Sequence, residues 1–233
     1  MTCMTTIPDG RSVSLGVELA GIVSAGVVVV EGVTVGPGDK IGPERNQLSE
    51  NYRSRWAGCK PSDIEPLAEA RRLYHAVGIQ PTRHRPSSEA LLRRVLKGQD
   101  LYAINNIVDA CNLASLSFLL PIGLYDLSNV VGSVVLRLGH EGEEYPGIRK
   151  GPVHLNGRLG LFDDEGPFGS PTSDSARTSV GDQTQNLLAV VMATAEYSSV
   201  DMSHNTDTLA DALAKYGQGR VTHTAILNTK KDQ

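Results

Sequence analysis

The sequence has no apolar run long enough to cross a bilayer. Its best candidate, "AGIVSAGVVVV", is short and broken by glycine, whereas a spanning helix needs about 20 apolar residues. The start lacks the basic-then-apolar order of a signal peptide, so no membrane association is expected and the cytoplasm is the expected location. Cysteine is scarce. Cys3, Cys59 and Cys111 are odd in number, far apart and without a CxxC pair, which argues for free thiols rather than a disulfide framework or a zinc site. Aromatics are few, with one tryptophan, three phenylalanines and seven tyrosines, fewer than a base-stacking surface usually carries. An overall positive charge is also missing. The net charge of −4 argues against a uniformly basic face for nucleic acid, and DNA is not an expected partner. GxGxxG and P-loop patterns are absent, and "HEGEE" is not the HExxH zinc pattern, so neither a cofactor nor a metal is expected.

What remains is an ordinary globular composition: 233 residues, 40% apolar and 21% charged. Residues 1–11 read as a loose start. "VSLGVELAGIVSAGVVVVEGVTV" reads as two strands around a turn near Ser24–Gly26. Helices are expected over Gln47–Ala57, from Ser62–Asp63 to Gly78, from a serine cap at Ser87 or Ser88 to Gly98, and over Asn105–Phe118. "GLYDLSNVVG" reads as a turn. Then come short glycine-bounded strands ("SVVLRLG", "GPVHLNG", "GRLGLFDDEG", "QNLLAVVMATAEY"), a helix over "TDTLADALAKYG" stopped by Gly217, and a last strand in "RVTHTAILN". This order implies a single α+β domain with a mixed sheet and packed helices. Residues 1–60 are expected to belong to the same domain as residues 61–228, with 229–233 as a solvated tail.

"AINNIVDACNLASL" (Ala103–Leu116) carries four polar groups in an otherwise apolar helix. Asn105, Asp109 and Asn112 stand at i, i+4 and i+7 and share a face. Buried polar groups need hydrogen bonds, so these side chains either brace neighbouring loops or line a cavity.

This stretch resembles a known one. "GQDLYAINNIVDACNLASLSFLLPIGLYDL" is similar to the B3/B4 module of the bacterial phenylalanyl-tRNA synthetase β subunit, which carries a run close to "INNVVDVTNYV" and then "P-x-H-A-F-D". "VGDQTQNLLAV" resembles that module's "VNDETQNVLLE". The likeness runs from about Arg71 to Ala195. "RPSSEALLRR" (Arg85–Arg94) and "DSART" (Asp174–Thr178) are similar to patterns in free-standing relatives. The resemblance implies a B3/B4-type fold with a cavity, and an activity of the editing kind: hydrolysis of an aminoacyl ester on mischarged tRNA. It also places this chain's departures. The editing histidine of "P-x-H-A-F-D" falls on Gly123, the glutamate after "TQNVLL" falls on Val190, and the arginine before "P-I-N-N" falls on Tyr102. The scaffold residues Asn105, Asn106, Asp109, Asn112, Asp126, Thr184 and Asn186 are retained.

Candidate chemistry therefore centres on "SPTSDSARTSVGDQT", the most polar loop. Arg177 can hold a carboxylate or phosphate with both arms of its fork, Asp174 can grip an ammonium or orient a water, and Ser175 or Thr178 can donate to an oxyanion. Alternatively an Asp174–Arg177 pair simply holds the turn. Tyr102, Asn106, Asp109, Asn112, Tyr125, Asp126 and Glu143 are the candidate substrate-binding residues. None of the six histidines sits in a nucleophile motif. His84 lies among basic residues that lower its pKa, and His154 reads as an ordinary strand residue. From Arg71 to Lys97 seven Lys/Arg face one acid, Glu89. Arg83, Arg85, Arg93, Arg94 and Lys97 are the candidate RNA contacts, for a tRNA acceptor end; a solvated helix face is the alternative. A small amino-acid-like ligand without RNA is the competing reading, and the oligomeric state is open.

Overall fold

The computed structural model describes residues 3–148 and 151–229. The expected tail lies, from residue 230 on, outside the described residues. The chain opens with β1 (Met4–Thr6), β2 (Ser12–Leu15) and β3 (Val23–Glu31), followed by helices α1 (Gly42–Arg55), α2 (Ala68–Ala76), α3 (Ser87–Leu96) and α4 (Asn106–Phe118). Strands β4 (Ile122–Asp126), β5 (Val134–Leu138), β6 (Glu144–Pro146), β7 (Pro152–His154), β8 (Leu159–Asp163), β9 (Gly166–Gly169) and β10 (Asn186–Thr194) come next, then α5 (Ser199–Gly217) and β11 (Arg220–Leu227).

The strands form a five-stranded sheet in the order β1-β2-β5-β8-β9, a four-stranded sheet in the order β11-β3-β10-β4, and the β6-β7 hairpin. The valine run of β3 explains its place. Val27, Val28, Val29 and Val30 are all fully buried, because the four-stranded sheet is covered on both faces and so needs a continuous apolar strand. On one face Val27, Val29, Val190 and Met192 meet Leu15, Leu136, Leu161 and Phe168 of the five-stranded sheet. On the other, Val28, Ala189 and Val191 meet Ile107, Ala110 and Ala114 of α4 and Leu209 and Leu213 of α5. A smaller core joins α1, α3 and α4 through Tyr52, Leu92, Val95 and Leu116. The α+β single-domain expectation holds. Residues before 61 supply β2 to one sheet, where it pairs in parallel with β5, and β3 to the middle of the other.

Several local expectations change. Ser24–Gly26 is not a turn but the start of β3. A Cβ on Gly26 would stand 2.0 Å from Thr206 Oγ1, so this strand glycine admits α5 rather than breaking the strand. "GLYD" (Gly123–Asp126) lies in β4, and the loose start contains β1. Neither Ser87 nor Ser88 caps α3: Pro86 occupies the cap position without a side-chain bond, and both serine hydroxyls are buried without partners. Helix α5 is longer than expected because Ser198 caps it, accepting from the Asp201 N–H at 3.2 Å.

Candidate functional site

Strand β4 is an edge strand, and the polar loop covers its open side. The Asp126 N–H donates to Thr178 O at 2.8 Å, and the Leu124 N–H lies 3.5 Å from Asp174 Oδ2. The same strip reaches two other strands: the Ser175 N–H donates to Phe168 O at 2.9 Å and the Ala176 N–H to Pro146 O at 3.0 Å. Asp174–Thr178 thus stitches the two sheets and the hairpin together, satisfying backbone groups that an edge leaves open. Its side chains share in that work. Ser175 and Thr178 are buried with their hydroxyls 3.3 Å apart. Arg177 does not pair with Asp174. It grips the buried Asp163 with two hydrogen bonds of 2.9 Å and lies 3.3 Å from Glu165.

Asp174 is different. Its Oδ1 is shut off from solvent without a hydrogen bond. Burial pushes the carboxyl up to about 7, against the easing effect of the Tyr125 hydroxyl and the Leu124 N–H. Cys111 of α4 and the hydroxyls of Tyr74, Tyr125 and Tyr145 all feel its charge. Asp174 therefore lies within electrostatic reach of Cys111 of α4.

Gly123 and Val190 are direct partners across β4 and β10. The two positions at which the resemblance puts editing groups thus face each other, and here they carry no functional side chain. The space is filled. Tyr125, on the same face of β4, lays its ring against Phe168 edge-on with centroids 4.8 Å apart. A Cβ on Gly123 or on Gly169 would stand 2.1 Å from its hydroxyl oxygen. Glycine at both positions makes room for a buried phenol.

The polar groups around α4 act as braces. Asn105 caps the helix by accepting from the Val108 N–H at 2.8 Å. The Asn106 amide donates to Thr34 O and Tyr216 O, each at 2.8 Å, and accepts from the Gly36 N–H at 2.8 Å. Asp109 Oδ1 accepts from the Ile104 N–H at 2.9 Å and Oδ2 lies 3.4 Å from Arg45. Burial raises this carboxyl above its ordinary range although both contacts oppose the rise. Asn112 is half-buried on the same helix. Asp126 accepts from the Ser128 N–H at 3.0 Å and from the Thr184 hydroxyl at 2.7 Å. Glu143 is held by two Arg137 bonds of 2.8 and 2.6 Å, which bring its pKa down to about 2. Tyr102 is exposed beneath the Arg94 guanidinium, 3.9 Å from the ring centroid.

The concavity near this region lies one step upstream of the predicted strip. A cavity of about 200 Å³ is lined by Ser170, Thr172 and Ser173, by His154 and Arg158 from β7 and the turn after it, and by His84 from the loop between α2 and α3. Asp174, Ser175, Arg177 and Thr178 are not among its lining residues. Its back wall is ordered. Ser170 Oγ accepts from the Tyr145 hydroxyl at 2.9 Å, and Tyr74 donates to Pro171 O at 2.6 Å with Thr172 Oγ1 at 3.1 Å. Burial, then Arg158 and Arg83, hold His84 below its ordinary pKa, so it is neutral near pH 7. His154 Nδ1 lies 2.7 Å from Glu144 Oε2, its cross-strand partner in the hairpin. That contact leaves Nε2 of the imidazole as its other functional edge. Among the described residues no cluster of three or more His, Cys, Asp or Glu could hold a metal. A second, open groove of about 620 Å³ runs between α1, α4 and α5, bordered by the Lys215–Glu44 pair at 2.6 Å. Its floor of Ala114, Ser117 and Ala212 offers little to orient a substrate.

The candidate RNA contacts are unevenly engaged. Arg93 pairs with Glu89 at 2.7 Å and Arg85 lies 3.9 Å from it, while Arg94 also donates to Asp100 O. Arg83 and Lys97 are exposed. No helix among the described residues is long and apolar enough to cross a membrane.

No curated protein matches the chain. Among solved structures, an N-terminal fragment of the phenylalanyl-tRNA synthetase β-subunit from Pyrococcus horikoshii is similar at 14% identity and a TM-score of 0.41, over 84% of this chain and 46% of that one. This chain thus spans about half the length of that fragment. The sequence pattern of the B3/4 domain covers residues 69–221, from the start of α2 to the start of β11. With more than half of its length matched in that way, this chain belongs to the B3/4 domain family.

Proposed function

We propose that this chain receives the aminoacyl-bearing end of a tRNA and hydrolyses its ester, with the aminoacyl group in the cavity between the β6-β7 hairpin and Ser170–Ser173. One observation carries the reading: His84, flanked by Arg83 and Arg85 in the basic stretch, lines the same cavity as the polar loop. A cationic approach for phosphates and a pocket sized for one side chain therefore adjoin. The chemistry differs from that implied by the resemblance, since Gly123 and Val190 have none to offer. In this reading His154, held by Glu144, takes a proton from water through Nε2. The hydroxide adds to the ester carbonyl carbon while Arg158 faces the developing oxyanion. The bond to the ribose oxygen then breaks, and His154 returns the proton to that oxygen. The products are a free amino acid and an RNA with a free ribose hydroxyl.

The test is deacylation of a panel of mischarged tRNAs by the full chain. Turnover that falls by about 10²-fold or more in His154→Ala, as loss of a general base predicts, supports the proposal. Deacylation at the uncatalysed rate across the panel refutes it. A second reading, a binder of small amino-acid derivatives without RNA, is favoured by the cavity's volume of about 200 Å³. Thermal stabilisation by free amino-acid esters, with no response to tRNA, would select it.

A further inference from the structure

The basic stretch contains a charge arrangement that neutralisation alone does not explain. Glu89, on α3, is almost wholly buried, with a side-chain exposure of 2%. Arg71 of α2 closes on it with hydrogen bonds of 2.8 and 2.7 Å, which already forms a complete two-armed pair. Arg93, one turn along α3, adds a third bond of 2.7 Å to the same carboxylate. Arg85, one turn before it, brings its Nε to 3.9 Å. Burial opposes ionisation of Glu89, and the hydrogen bonds from Arg71 and Arg93 outweigh it, so its carboxyl stays below its ordinary range.

One carboxylate thus organises three guanidiniums, and two positive charges remain uncompensated. Each guanidinium has five N–H donors. Arg71 commits Nε and Nη2 to Glu89, Arg93 commits only Nε, and Arg85 makes no hydrogen bond there. The remaining forks stay accessible: the Arg71, Arg93 and Arg85 side chains are 27%, 34% and 48% exposed. The arrangement stands beside the cavity. Arg85 follows His84 in the chain, and Glu89 acts electrostatically on Tyr74, whose hydroxyl touches Thr172 of the cavity wall.

We propose that Arg71, Arg85 and Arg93, oriented by Glu89, form a seat for a phosphodiester of the RNA strand whose end enters the cavity. The two unesterified oxygens of a phosphodiester match the guanidinium fork. Fixing Arg71 and Arg93 in advance, with Arg85 drawn close by the same charge, lowers the entropy cost of binding. Glu89 is a positioning residue here, and Arg71 joins the RNA contacts expected from sequence. The inference rests on the RNA-end reading above, but on its binding half and not on hydrolysis.

The experiment is fluorescence anisotropy of a labelled single-stranded RNA of about 10 nucleotides with the full chain, repeated over a series of salt concentrations. Each phosphate contact on a single strand adds about 0.7 to the slope of log affinity against log salt. Arg85→Ala, which removes no hydrogen bond to Glu89, and Arg93→Ala are both expected to weaken binding. Their combination is expected to lower the slope by about 0.7. Arg220→Ala, which removes an equal charge from the 81% exposed Arg220 on β11, is expected to leave the slope unchanged. If RNA binds and Arg85→Ala and Arg93→Ala keep the full slope, the seat is overturned while the RNA-end reading stands. If the unaltered chain does not bind RNA at low salt, the RNA-end reading falls and the seat falls with it.

Discussion

Asp174 provides a direct measure of how tightly the two sheets are stitched. Its carboxyl is pushed from 3.8 up to about 7 by burial at the joint of β4, β9 and the β6-β7 hairpin. In the unfolded chain it ionises near 3.8, while in the folded chain it keeps its proton until about pH 7. Between those values the folded state binds more protons than the unfolded state, so its stability falls as pH rises and the loss is complete above about pH 7. At 1.36 kcal/mol per pH unit the whole window corresponds to about 4 kcal/mol, and the part between pH 5 and pH 8 to about 3 kcal/mol. Because the residue as a whole is half-buried, solvent reduces the second figure to about 1.5–3 kcal/mol. Asp174→Asn abolishes this proton uptake. Urea unfolding followed by far-ultraviolet circular dichroism should show wild type losing that amount relative to the variant between pH 5 and pH 8. The amide's buried donors shift the variant's stability at every pH alike, so the comparison rests on the difference between the two pH values. If both proteins change equally over that interval, Asp174 is not buried as described and the joint is open to water.

Two further outcomes follow from the packing. Gly123→Ala places a methyl 2.1 Å from the Tyr125 hydroxyl oxygen. Displacing that buried ring should cost about 1–3 kcal/mol, read as a lower melting temperature and partly recovered in a Tyr125→Leu background. Asp163→Asn strips the charge from a fully buried carboxylate and leaves Arg177 with Glu165 as its remaining acidic partner, beside its hydrogen bond to Asn129 O at 3.0 Å. A loss of about 2–3 kcal/mol in urea is expected, with the proposed deacylation unchanged per folded molecule. A loss of deacylation without a loss of stability would show that Arg177 acts on substrate.

The sequence was most legible where local rules and periodicity agree. Helix α4 starts at the expected asparagine because Asn105 is a cap, and the retained Asn106, Asp109, Asp126 and Thr184 are polar groups bonded within the fold. They mark a scaffold, which is why they supported a family and fold reading and said little about chemistry. Errors came where a residue's reason lies far away in the chain. Gly26 looks like a turn until Thr206 is seen above it, and the Tyr125 ring that closes over Gly123 finds its room only through the distant Gly169. The cavity was illegible for the same cause. His84, His154 and Ser173 converge from separate segments, and no spacing rule joins them. The alternation of polar and apolar residues in β7 could only present His154 as a strand residue. Its Glu144 contact depends on hairpin register, which polar–apolar alternation alone does not specify.

The middle position of β3 has a consequence for how the molecule comes into being. This strand finds its two neighbours in residues 186–194 and 220–227, so during synthesis its valines wait for those distant segments before either flank is closed. Such distant pairing slows folding and leaves a sticky ribbon unprotected in the interim. The unpaired valine strand is therefore the segment most exposed to misassociation until residues 186–194 and 220–227 reach it.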